Sequence, residues 1–250
     1  MPNDKKEPTS IQSKRGGQLN LPASKLPVEK PKPEKDFRGS LHWRVFRILS
    51  EFVDGWQFLA DFKKTVTFFG SARFPEGYKW YEEARKLGKM LAEAGFTVVT
   101  GGGPGIMEAA NKGAVEGKGK SVGLNIKLET EQRINPYVEE SADFHYFFVR
   151  KVMLSFASRA YIFFPGGFGT LDEVFEIVTL IQTKKISDKI PVVLVGKEFW
   201  DPIDKCLREE VYSKYQAIDK EDLNLYKIVD SAEEAFEIIK DAPPREDWFY

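Results

Sequence analysis

At 250 residues, with 42% hydrophobic and 30% charged residues, the chain can bury a sizeable core and has the polarity of a soluble globular protein: one domain of ordinary size plus something extra. A net charge of −1 argues against nucleic-acid binding by bulk electrostatics, and the single Cys206 excludes a disulfide framework and cysteine-based zinc sites. Two histidines far apart, His42 and His145, supply a His-rich metal centre or a Ser-His-Asp site poorly, and no run approaches the ~18 apolar residues of a membrane span.

Residues 1–36 hold six of the fourteen prolines, no aromatic residue, eight basic and five acidic side chains. Such a stretch cannot bury enough surface to offset its ordering entropy, so it reads as a disordered tail. From Ser40, a candidate N-cap, apolar residues recur at helical spacing (Leu41, Val45, Ile48, Leu49, Phe52, Val53, Trp56, Leu59). Residues 37–62 are therefore an amphipathic helix that packs on the main domain or on a second subunit. Its polar face is mixed in charge, which disfavours a membrane-surface role. The N-terminus lacks an apolar signal core, and the expected location is the cytoplasm.

From residue 63 to 242 strand and helix patterns alternate. Strands are expected at Thr65–Gly70, Phe96–Thr100, Ser121–Ile126, Asp143–Phe148, Tyr161–Phe164, Ile190–Val195 and Leu225–Val229. Helices are expected at Tyr78–Ala94, Ile106–Glu116, Arg150–Ser158, from Thr170 onward, at Phe199–Tyr212 and at Ala232–Lys240, the first stopped by Gly95 and the last capped by Ser231. Cys206 falls in an apolar-periodic stretch and is expected to be a packed core thiol. Residues 243–250 form a C-terminal tail whose Trp248, Phe249 and Tyr250 either dock on the body or stay flexible. The alternation implies βαβ units: an α/β, Rossmann-like, doubly wound parallel sheet with helices on both faces.

Ligands bind such sheets beyond the carboxyl ends of the strands, where strand order reverses. Two glycine-rich stretches are strand exits on that edge: Gly101-Gly102-Gly103-Pro104-Gly105 and Pro165-Gly166-Gly167-Phe168-Gly169-Thr170. Unpaired N–H groups and the dipole at a helix start form an anion site, and glycines let the backbone come close to the ligand. Two such loops on one edge favour a phosphorylated ligand over plain turns. Glu173 sits one turn inside the second mouth. Arg150 and Lys151 are expected at a strand's carboxyl end, where a phosphate or carboxylate arrives. Neither loop meets the dinucleotide fingerprint, since Ile106 and Asp172 stand where its last glycine belongs. The Gly119-Lys120-Ser121 stretch is preceded by a helix rather than followed by one, so it is not a P-loop.

The set Gly101-Gly102-Gly103-Pro104-Gly105-Ile106-Met107, Glu131-Gln132 with Asn135-Pro136-Tyr137, Arg150-Lys151 and Pro165-Gly166-Gly167-Phe168-Gly169-Thr170-Leu171-Asp172-Glu173 resembles the LOG ("Lonely Guy") family, often labelled putative lysine decarboxylases. The resemblance spans about residues 65–240 and points to the bacterial branch. It implies a Rossmann-like fold, a homodimer and phosphoribohydrolase activity, which cleaves a nucleoside 5′-monophosphate to free base and ribose 5-phosphate. In plants the substrate is a cytokinin ribotide. The resemblance puts the catalytic pair at Arg150 and Glu173. It puts substrate contacts at Glu131, Lys151, Gly166, Gly167, Phe168, Gly169, Thr170 and Thr179. The strand-exit residues Ser71, Gly102 and Gly103 join the candidate substrate contacts. No metal, cofactor, nucleic acid or membrane partner is expected. Lysine decarboxylation needs pyridoxal phosphate and a Schiff-base lysine, and no lysine is placed for that at this mouth. A non-catalytic nucleotide or molybdenum-cofactor carrier of related fold, and an interaction protein using the tail and first helix, are the alternatives.

Overall fold

The computed structural model describes residues 37–127 and 134–242, and the chain divides after Val45 into two compact units. The expected tails, 1–36 and 243–250, and Glu131 with Gln132 lie outside the described residues. In the first unit a 3-10 turn, Phe37–Gly39, precedes the start of helix α1, Leu41–Ala60, which continues into the second unit from Phe46. Ser40 caps that helix as expected, its Oγ accepting from the Trp43 N–H at 3.2 Å.

The second unit carries seven strands: β1 Thr65–Phe69, β2 Thr97–Thr100, β3 Ser121–Ile126, β4 Glu140–Phe144, β5 Tyr161–Phe163, β6 Val192–Val195 and β7 Lys227–Val229. They form one sheet of order β4-β3-β2-β1-β5-β6-β7 with every pairing parallel. Strand order reverses between β1 and β5, where Thr67, Phe68 and Phe69 pair with Tyr161, Ile162 and Phe163. The remaining helices are α2 Lys79–Glu93, α3 Ile106–Glu116, α4 Phe147–Phe156, α5 Phe168–Gln182, α6 Lys197–Cys206 and α7 Ala232–Ile239. The α/β, Rossmann-like reading holds.

The period-two alternation of the strands sorts the core onto two faces. Val66, Phe68, Ile162 and Phe164 pack against Trp80, Leu87 and Leu91 of α2, with α3 and α7 on the same side. Phe69, Val99, Leu124 and Phe163 pack on the other side, against α4, α5 and Leu59 of α1. Helices α2 and α3 approach closely because glycines face the seam. A Cβ at Gly113 would meet the Arg85 carbonyl oxygen at 2.0 Å, and one at Gly88 the Ala110 carbonyl oxygen at 2.6 Å. From Phe46 on, α1 packs on the sheet unit through Gly55 and Leu59, while Phe46, Leu49, Val53 and Trp56 stay exposed.

Two expectations are corrected. The strand expected at Asp143–Phe148 is β4, Glu140–Phe144, and the run Phe147-Phe148-Val149 is the first turn of α4. β4 is an edge strand whose mostly exposed residues, Glu-Ser-Ala-Asp-Phe, carry no apolar alternation, so the neighbouring aromatic run drew the assignment. Arg150 and Lys151 accordingly lie within α4 rather than at a strand end. Cys206 is exposed, not a core thiol. The inward stripe of its helix runs through Trp200, Ile203 and Leu207, and Cys206 falls beside it. Smaller shifts also occur: α5 begins at Phe168 rather than Thr170, and a π-helical segment, Leu207–Lys214, extends α6.

Candidate functional site

The exits of β1, β2 and β5 meet over the reversal point and enclose a cleft of about 760 Å³. Backbone hydrogen bonds stitch the loops together. The Ser71 N–H donates to the Pro165 carbonyl at 3.0 Å, and the Ser71 carbonyl accepts from the Ile106 N–H at 3.0 Å. Gly105, at φ +70°, has no room for a side chain, because a Cβ there would lie 2.3 Å from the Ser71 carbonyl oxygen. Ser71 lines the cleft, as expected.

The β5 exit supplies the anion site. Gly166, Gly167, Phe168, Gly169 and Thr170 all line the cleft, with Gly167 as the N-cap of α5. Nothing lies within 4 Å of where a Cβ of Gly167 or Gly169 would project, and the N–H groups of a first helical turn have no intrahelical acceptor. Gly166 is packed the other way: a Cβ would lie 2.1 Å from Thr170 Oγ1. The β2 exit behaves differently from its sequence reading. Gly101 lines the cleft, but Gly102 and Gly103 are buried and their carbonyls accept from Asn135, from its backbone N–H at 2.9 Å and its Nδ2 at 3.0 Å. Through these bonds they anchor the segment beginning at Ile134.

Asn135 belongs to a buried polar chain that sequence reasoning did not find. Its Nδ2 donates to Asn111 Oδ1 at 3.0 Å; Asn111 also accepts from Thr100 Oγ1 at 2.7 Å and donates to Ser121 Oγ at 2.8 Å. Such a satisfied network fixes loop geometry, since each unpaired member would cost a desolvation penalty.

Arg150, in the first turns of α4, lines the cleft with its guanidinium held from behind: Nε donates to the Leu124 carbonyl at 2.7 Å and Nη2 to the Gly101 carbonyl at 3.3 Å. Burial pushes this guanidinium below its usual value, and the carboxylate of Glu173 pulls it back. Glu173 stands across the cleft on α5, only 6% exposed, with its Oε2 lacking any hydrogen-bond partner among the described residues. Burial raises its carboxyl to about 8; the charge of Lys151 pulls down, and the neighbouring Glu176 pushes further up. A buried carboxyl with one unpartnered oxygen, in a cleft with a fixed cation, is a candidate functional site.

Two expected contacts are not in this cleft. Lys151 turns to α5, pairing with Asp172 and, at 3.1 Å, with Glu176 Oε2. Thr179 is exposed on α5, nine residues beyond Thr170 and so about 13 Å along the axis at roughly 1.5 Å per residue. It borders a separate apolar pocket of about 220 Å³ beside Phe175 and Trp200. Conversely, Arg73, Phe74, Met107, Phe147 and Phe199 line the cleft and were not singled out. Arg73 was legible as the last residue of the β1 exit; the others depend on the fold. Among the described residues no group of His, Cys, Asp and Glu is arranged to hold a metal ion, and no helix is long and apolar enough to cross a membrane.

Comparison with known proteins bears on this geometry. Residues 107–239 match the family described as "Possible lysine decarboxylase". A probable cytokinin riboside 5′-monophosphate phosphoribohydrolase of Oryza sativa subsp. japonica is 34% identical over 125 residues, 48% of this chain and 58% of the relative. A protein of the same description from Arabidopsis thaliana is 32% identical over 158 residues, 59% of this chain and 76% of the relative. The chain thus spans less than two thirds of the rice relative's length. An X-ray structure from a structural genomics consortium superposes with a TM-score of 0.54 at 26% identity, covering 71% of this chain and 98% of that one. The molybdenum cofactor carrier protein of Chlamydomonas reinhardtii, at 23% identity and a TM-score of 0.55, covers 72% of this chain and 98% of its own. That likeness shows the fold alone.

Proposed function

The chain belongs to the possible lysine decarboxylase family, the family of the LOG phosphoribohydrolases, and on that premise we propose that it is a nucleotide N-glycosidase. It hydrolyses a nucleoside 5′-monophosphate, such as AMP or a cytokinin ribotide, to free base and ribose 5-phosphate. The observation that carries this reading is the buried Glu173 carboxyl, its Oε2 without a hydrogen-bond partner among the described residues, in one cleft with the Gly167–Thr170 helix start and Arg150.

In this reading the α5 amides hold the 5′-phosphate, which places C1′ of the ribose toward Glu173. The C1′–N bond breaks and its electron pair leaves with the base. The developing positive charge on the ribose is stabilised by the Glu173 carboxylate, which takes a proton from the water that bonds to C1′. The departing base gains a proton from solvent and Glu173 returns its own to solvent, so one water is consumed overall, as OH on C1′ and H on the base. Arg150 holds its fork toward the nucleotide's negative charge. Arg73, which has no ion pair among the described residues, adds a second cation on the β1 side. Lysine decarboxylation is disfavoured because no lysine among the described residues lines the cleft and Lys151 is held by Asp172 and Glu176. A homodimer is part of the reading; Thr179, remote from its own chain's cleft, is then free to serve another purpose on the exposed side of α5.

The test is direct. The protein is incubated with AMP, GMP, CMP, UMP, IMP and isopentenyl-AMP, and free base is followed by chromatography. Release of base from at least one, with ribose 5-phosphate in equal amount, is expected. Tight binding without release from any of the six favours the carrier reading instead.

A further inference from the structure

Helix α4 carries Arg150, yet its sequence provides no cap. Tyr146 is the N-cap residue, in extended conformation, and its side chain makes no capping bond. A carboxylate from elsewhere in the chain instead holds the two residues that lead into the helix. Glu51, on α1, reaches over with both carboxylate oxygens: Oε1 accepts from the His145 N–H at 3.0 Å and Oε2 from the Tyr146 N–H at 3.1 Å. A bidentate carboxylate at this end satisfies two donors at once and opposes the positive end of the helix dipole. The same junction is reinforced by Arg47, whose guanidinium lies 5.9 Å from the centre of the Tyr146 ring. One turn further, Gly55 leaves room for Met153 of α4, whose Sδ would lie 2.8 Å from a Cβ placed there.

We propose that Glu51 is a positioning residue for the catalytic cleft. It fixes the start of α4, and through it both Phe147, which lines the cleft, and the Arg150 guanidinium. The argument rests on the reading of Arg150 given above. Among the described residues the Arg150 side chain is hydrogen-bonded by two carbonyls, those of Leu124 and Gly101, the latter at 3.3 Å, so its place depends on where the first turn of α4 begins. The phosphate-binding amides belong to α5, which Glu51 does not cap; α4 reaches α5 through Lys151, which pairs with Asp172 and Glu176. Releasing Glu51 should therefore disturb turnover more than nucleotide capture.

Glu51→Ala and Glu51→Gln are compared with Glu83→Ala. Glu83 Oε2 accepts from the Ala232 N–H at 2.7 Å and so clamps the start of α7, which has no part in the cleft. Each protein is assayed for kcat and KM, and amide hydrogen exchange is read over residues 145–150. In Glu51→Ala, exchange in that segment is expected to quicken and kcat to fall about tenfold, an order typical of lost second-layer support, with KM changing less than threefold. Glu51→Gln, which keeps one acceptor oxygen, should fall between it and the wild type. Glu83→Ala should lose thermal stability with kcat intact. Unchanged exchange in Glu51→Ala, or an equal loss of kcat in Glu83→Ala, overturns the proposal. If the wild type itself releases no base, the N-glycosidase reading fails, and the exchange arm still decides whether Glu51 holds the helix.

Discussion

Replacing Glu173 by glutamine changes one oxygen for an NH₂ group of nearly the same shape and removes the titrating proton. In the folded chain this carboxyl titrates at about 8, against 4.5 for an ordinary glutamate. Between those values the native state holds a proton that the unfolded chain has released. Stability contributed by the group is fully present below about pH 4.5 and is lost as pH rises through about 8. The slope approaches about 1.4 kcal/mol per pH unit, so the span amounts to about 5 kcal/mol at most. Glutamine carries no such slope. Urea unfolding midpoints at pH 5, 6.5 and 8 should therefore fall for the wild type relative to Glu173→Gln, with the variant the more stable protein at pH 8 by several kcal/mol. Its turnover should drop by about 10²- to 10⁴-fold, the usual contribution of a group that exchanges a proton in the transition state, while nucleotide still binds. Stability curves that run parallel across this pH range would refute the buried-proton argument. Wild-type release of base from AMP by the variant would refute the catalytic assignment.

The same carboxyl predicts the pH profile of the free enzyme. If the charged form is the working form, kcat/KM rises through neutral pH and levels off above about 8; a profile that falls across that range would make Glu173 a proton donor. Gly101→Ala places a Cβ 2.2 Å from Arg150 Nη2, so it should displace the guanidinium and lower kcat/KM about tenfold or more, with only a small change in melting temperature. Arg73→Ala should raise KM for nucleoside 5′-monophosphates by about tenfold while leaving kcat near wild type, the mark of lost ground-state binding, as steady-state kinetics will show.

The sheet was legible because its inner strands are short runs of Val, Ile and Phe bounded by glycine and proline, which bury on both faces whatever surrounds them. The two glycine-rich exits were legible for the same reason, since a parallel sheet puts every strand exit on one edge. What escaped has a shared physical cause: it depends on partners distant in sequence. β4 is held by pairing to β3 alone and its composition is polar. Gly102 and Gly103 looked like ligand loops until Asn135 was seen to occupy their carbonyls. Lys151 looked like a phosphate ligand because its neighbours on α5, Asp172 and Glu176, are more than twenty residues away in the chain. Glu51 is 94 residues from the N–H group it caps, and no local pattern announces it.

The stitching of Ser71 has a corollary for how this scaffold diversifies. Both of its anchoring bonds are made by main-chain atoms, one to Pro165 and one from Ile106, so the junction of the three loops is indifferent to the side chains that follow. Ala72 and Arg73 are exposed, and with Phe74 they form one wall of the cavity. Exchange of these three residues would reshape that wall while the backbone stitching of the three loops stays as it is.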